Sequence, residues 1–332
     1  MAFTYAQAGV DVREIRGIQR KINRMIASTN TGVTHPLLGH YAGLFSAGGL
    51  TMTLHCDSVG SKILVAQAVG KHDTIGIDAV AMNVNDLICI GSRPIAAVDY
   101  LAMSEADERL TLEIMKGLVR GCREAGVALV GGETAMLPDM LLKHKGERVA
   151  YDLAVTAAGI MDGKPITGKG MKENDVVVGL ASSGLHSNGY SLARKIMPKQ
   201  YYREMLTPTK IYVKPVMEMV RACDVHGIAH ITGGAFSKLS RIGRHGNVGF
   251  LLDNVPKPDG VFAGLAARVK SDYELYRTFN MGVGMCIVVG RNEADDILSI
   301  AGKHRIKAGI IGKIIRGRDV ILQKGGKRIS LR

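Results

Sequence analysis

The sequence predicts an α+β protein built from two domains. The chain has 332 residues, long for one hydrophobic core and comfortable for two. Strand-like and helix-like apolar patterns alternate in both halves. Between the halves lies "MDGKPITGKGMKEND" (161–175), rich in glycine, proline and charge. We therefore place residues 1–165 in an N-terminal domain and 166–332 in a C-terminal one.

The elements follow in order. Residues 13–28 form a basic amphipathic helix with Ile15, Ile18, Ile22 and Ile26 near one stripe. Residues 33–48 are glycine-rich and loop-like. In "LTMTLHCD", Leu50, Met52, Leu54 and Cys56 face one way, and Thr51, Thr53, His55 and Asp57 the other. That is a strand with a polar face and an aspartate at its exit. An apolar helix (76–91) and a strand (94–103) come next. Ser104 and Asp107 make a capping-box-like start to a helix that stops at Gly126. "VALV" (127–130) and "AYDLAVTAAGI" (150–160) are strands. In the second half, "DVVVGLA" is a buried strand and "SSGLHSNG" a loop whose Ser187 or Asn188 caps a helix over 190–197. "GVGMCIVVG" is a strand, Asn292 caps a helix over 293–304, and two strands finish the chain.

Composition narrows the class. Hydrophobic residues are 46% and charged residues 22%, which fits a soluble globular protein. No run of about 18 apolar residues exists, so no membrane partner is expected. The first residues lack an apolar signal core, and five cysteines lie far apart with no C-x-x-C pair. A reducing, cytoplasmic setting is expected. The formal charge is +13, which suits nucleic acid or small phosphorylated anions. Aromatics are only 5% and tryptophan is absent, leaving little for base stacking, so small anions are the expected partners.

No P-loop motif, no strand-linked G-x-G-x-x-G, no H-E-x-x-H and no G-x-S-x-G occurs. The remaining signal is acidic residues at element ends. Asp57 precedes a Ser-Val-Gly-Ser-Lys turn ending at Lys62. Asn83 and Asp86 share a face of an apolar helix. Asp99 sits in an apolar strand, and Glu133 follows "LVGG" on a glycine turn. Singly, each is a cap or a buried acceptor. Together they suit a hard cation such as Mg²⁺, with phosphate oxygens completing its shell. His186 sits in a loop fitted to anion binding or proton transfer. "HITGGAF" (230–236) permits close backbone approach by a ligand.

These stretches carry a resemblance. "HCDSVGSK", "GKHDTIGIDAVAMNVNDL", "LVGGETAMLPDM", "SSGLHSNGYSLARKI", "LTPTKIYVKPV", "HITGGAF" and "YRTFNMGVGM" occur in order along nearly the whole chain. They closely resemble the aminoimidazole ribonucleotide (AIR) synthetase family, also called phosphoribosylformylglycinamidine cyclo-ligases. The resemblance implies ATP-dependent closure of formylglycinamidine ribonucleotide to aminoimidazole ribonucleotide, with ADP and phosphate released, in purine synthesis. It implies a homodimer whose N-terminal β-sheet domains join in a barrel-like interface, and a C-terminal α/β sandwich-like domain. It implies ATP bound without a P-loop, in a fold shared with selenophosphate synthetase and thiamine-monophosphate kinase. Carried over by position, Asp57, Asp86 and Glu133 are Mg²⁺–phosphate ligands. Lys62 neutralises phosphate and, with Asp86 and His186, serves catalysis. Asp73, Asn83, Gly132 and Thr134 join Asp57, Lys62 and Glu133 in the nucleotide site, with weaker expectations for His72 and Asp78. The chain departs from the family at His55-Cys56, at Ser58, within "GGETAMLPDM", and in "GGAFSKLSRIGR", where the pattern reads G-G-G-F-x-E-N-I-P-R. A basic N-terminal residue of the family aligns with Asn23, and Lys21 or Arg24 substitutes. Another ATP-using member of the wider superfamily, such as a small-molecule kinase, is the rival reading.

Overall fold

The computed structural model describes residues 12–35, 40–143 and 148–331. Helix α1 (Val12–Ala27) forms as the periodicity predicts, but Ile18, Ile22 and Ile26 are exposed rather than covered by a core. Strands β1 (Thr34–His35) and β2 (Gly43–Ala47) occupy part of the stretch expected to be loop. The reason is a two-residue hairpin: Gly48 and Gly49 have φ of +56° and +79°, and β2 folds back on β3 (Leu50–Ser58). A short 3₁₀ turn at Gly60–Lys62 leads into α2 (Ile63–Val69). There follow α3 (Ile75–Ile88), β4 (Ser92–Met103), α4 (Glu108–Ala125), β5 (Ala128–Met136) and β6 (Tyr151–Met161). Asp107, not Ser104, caps α4 by accepting from Leu110 N at 3.0 Å. Ser104 Oγ instead accepts from Ala150 N at 3.0 Å, tying two strand ends together. Strand β5 runs on through Gly131–Thr134 because its parallel pairing with β4 continues to Met136. Glu133 is therefore a strand residue, not a turn residue.

These strands form an open sheet in the order β1-β2-β3-β6-β4-β5, with no closed barrel among the described residues. One face carries α3 and α4. The helices cross closely because Gly76 and Gly117 meet: a Cβ on Gly76 would lie 2.6 Å from Gly117 C and Ile114 O. The opposite face holds Leu50, Leu54, Val98 and Tyr100, each 40–50% exposed.

Past residue 161 the chain enters a second sheet. It contains β7 (Val176–Ala181), β8 (Val225–His230), β9 (Gly249–Leu252), β10 (Val283–Val289), β11 (Ala308–Ile315), β12 (Val320–Lys324) and β13 (Lys327–Ser330). Its order is β13-β12-β9-β11-β7-β10-β8. Three strands, not two, follow the last helix. The connecting helices are α5 (Tyr190–Ile196), α6 (Tyr202–Met205), α7 (Val213–Ala222), α8 (Leu239–Gly246), α9 (Gly260–Ala266), α10 (Asp272–Thr278) and α11 (Ala294–Lys303). Neither Ser187, Asn188 nor Asn292 supplies the expected side-chain cap; Gly189, at φ +80°, starts α5 instead. The architecture is the mixed α+β one that the sequence predicts.

Helix α3 joins the halves. Its residues are buried along their whole length, including Asp78, Asn83, Asn85 and Asp86. Polar groups buried this way are costly unless they find partners. Asp78 Oδ1 accepts from Lys62 Nζ (2.9 Å), Thr209 N (2.7 Å), Thr209 Oγ1 (2.5 Å) and Ser187 Oγ (3.2 Å). Lys62 Nζ also donates to the Thr207 carbonyl at 2.8 Å. One turn-pair further along, Asn85 Nδ2 donates to Lys210 O and Asn85 Oδ1 accepts from Tyr212 N, both at 2.9 Å. The segment "LTPTKIY" of the second half is thus bolted to α3. Lys62, expected at a phosphate, is wholly buried in this bolt.

Removing one partner of a buried pair strands the other charge, at a cost of about 3–5 kcal/mol. Lys62→Met is expected to lose that much in equilibrium urea unfolding. A loss under about 1 kcal/mol would contradict the structural role of the pair.

Candidate functional site

The polar face of β3 looks onto the C-terminal end of α3. Asn83 fixes the geometry: its Nδ2 donates to Asp57 O (3.1 Å) and Ala79 O (2.9 Å), leaving Oδ1 as an acceptor. His55 Nδ1 meets that oxygen at 2.9 Å, so Nδ1 carries the proton. His55 Nε2 then faces Asp86 Oδ2 at 3.3 Å, a contact that is attractive when the ring carries both protons. The second oxygen of Asp86 meets His230 Nδ1, at the end of β8, at 2.7 Å. One carboxylate from the first half is therefore held between a histidine of each half.

Burial alone would push Asp86 up. The His230 hydrogen bond and the charges of His230, His55 and Lys238 outweigh it and hold the carboxyl below its usual range. Asp57, on the same face, goes the other way. Its Oδ1 accepts from Ser58 N at 2.8 Å, but burial and then the neighbouring Asp86 raise its pKa. Two carboxylates, one destabilised as an anion, make a place that favours a cation.

The second half closes this place with two strained turns. Ala235 has φ +42° where the resembled pattern carries glycine, and its N donates to Thr232 O at 2.6 Å. This turn launches a short 3₁₀ segment ending at Lys238. His186 also has a left-handed backbone, φ +61°. It is wholly buried, not a surface loop residue. Its Nε2 accepts from Ser183 N at 3.3 Å, so Nδ1 bears the proton and has no partner. Burial, then His230, Lys62 and Lys210, hold its pKa well below the usual histidine value. The ring lies 6.4 Å from that of His230 and 6.2 Å from that of Tyr212. Gly284 makes room: a Cβ there would fall 2.5 Å from His186 Cε1.

Asp57, Asn83, Asp86 and, one layer away, His186 are thus brought together. Other expected residues lie elsewhere. Lys62 and Asp78 form the buried bolt. Asp73 pairs with Lys71 at 2.7 Å near the surface, and His72 Nδ1 meets Tyr151 Oη at 2.9 Å. Asp99 points toward Gly132, whose missing Cβ leaves space for that carboxyl. Glu133 is the largest departure. Register runs Asp57↔Val155, Val155↔Asp99 and Asp99↔Gly132 across the sheet. Glu133 is therefore three strand spacings away, roughly 14 Å, and on the opposite face. Within one chain it cannot share an ion with Asp57 and Asp86. Gly132 and Thr134 lie on the same exposed edge strand.

No group of three or more His, Cys, Asp or Glu side chains arranged for a metal occurs among the described residues. Asp57 and Asp86 alone fit one Mg²⁺, since that ion binds through one or two carboxylates plus phosphates and water. Sequence reading missed His55 and His230 as site residues. A signal was present at His55, where the chain departs from the family pattern.

The description "AIR synthase related protein, N-terminal domain" matches residues 39–161, and its C-terminal counterpart matches 172–325. The chain is 44% identical to the phosphoribosylformylglycinamidine cyclo-ligase of Methanocaldococcus jannaschii, covering 96% of this chain and 93% of that one. It is 42% identical to the protein of that name from Thermococcus kodakarensis, over 98% and 99% of the two chains. Among solved structures, a chain of the HypE–HypF complex aligns with TM-score 0.70 at 20% identity, over 94% and 98% of the chains. AaThiL complexed with AMPPCP and TMP aligns with TM-score 0.67 at 14% identity, over 96% of each chain. The structural likenesses speak for the fold alone.

The raised pKa of Asp57 gives a signed expectation. A carboxyl whose folded pKa exceeds its unfolded value destabilises the fold at pH above both, and a neutral isostere removes that cost. Asp57→Asn should hold or raise the metal-free unfolding midpoint at pH 7.5, while Mg·ATP affinity falls tenfold or more. A lowered midpoint with unchanged Mg·ATP affinity, by calorimetry, would contradict the assignment.

Proposed function

This chain belongs to the AIR synthase related family, and we propose that it closes formylglycinamidine ribonucleotide to aminoimidazole ribonucleotide at the expense of ATP. The observation that carries this reading is the 44% identity, over 96% of the chain, to a relative named phosphoribosylformylglycinamidine cyclo-ligase. The geometry supports it. ATP phosphorylates the amide oxygen of the substrate, a substrate nitrogen attacks the activated carbon, and phosphate leaves as the imidazole ring closes. The ligase thus needs a phosphate site and a nearby group that orients a polar substrate.

Asp57 and Asp86 supply the phosphate side. With Mg²⁺ bound, the ion would neutralise phosphate charge between these two carboxylates. Asn83 ties the Asp57 backbone to α3 and orients His55 toward one oxygen of Asp86, and His230 holds the other. His186 supplies the substrate side. Its neutral ring offers an unpartnered Nδ1–H to a substrate oxygen or nitrogen, and its burial excludes water from that contact.

The reading extends to a homodimer. Leu50, Leu54, Val98 and Tyr100 form an apolar patch on the free face of the first sheet. A second copy covering this face gives the barrel-like interface that the resemblance implies. Glu133 lies on that face beside Tyr100, so its carboxylate serves the interface or the partner's site rather than its own.

The purified protein should form ADP and aminoimidazole ribonucleotide in equal amounts from formylglycinamidine ribonucleotide and Mg·ATP. A folded protein that hydrolyses ATP or phosphorylates other acceptors, yet never closes the ring, would favour the kinase reading. His186→Ala should lower kcat by about 10²-fold or more with ATP affinity little changed. Wild-type turnover in that variant would remove His186 from the site. Leu54→Glu with Val98→Glu should convert a dimer to a monomer in sedimentation velocity; an unchanged sedimentation coefficient would place the interface elsewhere.

A further inference from the structure

Asn280 stands in the motif "YRTFNMGVGM", buried in the turn between α10 and β10. A buried amide is costly unless its donors and acceptor find partners. Its Oδ1 accepts from Gly282 N at 3.0 Å and from Ser182 Oγ at 3.1 Å. Its Nδ2 donates to Gly184 O at 2.9 Å. The orientation of the amide is forced, because Gly282 N can only donate and Gly184 O can only accept. Ser182 N also donates to Gly282 O at 2.9 Å. The loop that leaves β7 is therefore tied at Ser182 and at Gly184 to the turn that enters β10.

That loop carries His186. Its φ of +61° is a conformation that a non-glycine residue keeps only where its surroundings over-determine it. The surroundings here are the Asn280 contacts, the Ser183 Oγ bond to Pro208 O at 2.6 Å, and the Ser183 N bond to His186 Nε2 at 3.3 Å. The last of these sets the ring's proton: Nε2 is the acceptor, and Nδ1–H is left as a buried donor without a partner. At 3.3 Å the bond is long, so a small shift of Ser183 breaks it. Ser183 lies between the two residues that Asn280 holds. The same motif also seats the ring. Pairing of β10 with β7 changes register between Val283 and Met285, and at Gly284, inside that change, the missing Cβ leaves room for His186 Cε1. Asn280 thus clamps both sides of the residue that fixes the tautomer, four residues ahead of the glycine that houses the imidazole.

We propose that Asn280 is a positioning residue for His186: by fixing Ser182 and Gly184 it holds Ser183 N against His186 Nε2 and keeps Nδ1–H directed at the substrate. This rests on the reading of His186 as the substrate-side group of the ligase. The hydrogen bonds of Asn280 go to the protein's own loop and turn, so it acts through His186. An aspartate isostere separates the parts of the clamp. It keeps the two contacts that Oδ1 accepts, loses the donor to Gly184 O, and sets a carboxylate oxygen against that carbonyl.

The test compares Asn280→Asp, His186→Ala and the double variant in the full-length protein, each assayed well below its unfolding midpoint. Asn280→Asp should lower kcat about 10- to 100-fold, the scale of an ångström-sized misplacement, with KM for ATP changed by less than about twofold. In the His186→Ala background the same substitution should cost little further, because the group it positions is gone. ¹⁵N NMR of labelled histidines gives a readout apart from turnover, with His186 assigned by its absence from the His186→Ala spectrum. The wild type should show His186 as the Nδ1–H tautomer, and Asn280→Asp a mixture of tautomers. Ser182→Ala, which removes only the 3.1 Å contact, should give the same changes at smaller size, and it carries the test if Asn280→Asp does not fold. Wild-type kcat in Asn280→Asp, a fully additive loss in the double variant, or an unchanged His186 tautomer would overturn the proposal while leaving the ligase reading intact. A wild-type protein that makes ADP but no aminoimidazole ribonucleotide would instead overturn the ligase reading, and the tautomer measurement would still decide what Asn280 holds in place.

Discussion

Everything in this molecule turns on the buried pair between Lys62 and Asp78. An ammonium and a carboxylate, both without solvent exposure, are expensive to remove from water. Here much of the cost is offset by the hydrogen bonds gathered on Asp78 Oδ1, while Oδ2 is buried without a partner among the described residues. Asp78 also accepts from Thr209 and Ser187, and Lys62 also donates to Thr207 O. All three of these partners belong to the second half of the chain. The pair finds these partners only when both halves are docked, so it specifies their relative placement as a hydrophobic contact would not. Asn85 repeats the device two turns further along α3.

That placement creates the site. With α3 bolted at Asp78 and Asn85, its last turn brings Asp86 against His230 of the other half. The first half contributes carboxylates, Asp57 and Asp86. The second contributes an imidazole pair, His186 with His230. Each set alone is electrostatically unsatisfied. Together they form a polar junction whose two carboxylates suit a hard cation.

Much of this was legible in the sequence. Alternation in "LTMTLHCD" gave the two faces of β3, because one face of an antiparallel sheet is covered and the other is not. Asp57 and Asp86 stood out as acids at the ends of apolar elements. What failed had physical causes. Two glycines hid the hairpin at 48–49, since their positive φ reads as loop. Strand β5 outlasted its apolar run because β4 kept pairing with it past Gly132. Lys62 looked like a phosphate lysine because nothing local reveals a partner sixteen residues on, or a carbonyl at Thr207. Glu133 follows a glycine pair that reads as a turn, yet it lies three strands from Asp57 and strand alternation turned it to the other face. The departures from family pattern were the most informative letters. Cys56 proved to be exposed on the outer face of the sheet, whereas His55 points into the junction.

The most direct measurement is a crystal structure with Mg²⁺ and a non-hydrolysable ATP analogue. The account predicts metal–oxygen distances of about 2.0–2.1 Å to Asp57 and Asp86. Lys62 should remain on Asp78. A nucleotide whose phosphates lie away from this junction, or on a Lys62 released from Asp78, would contradict it.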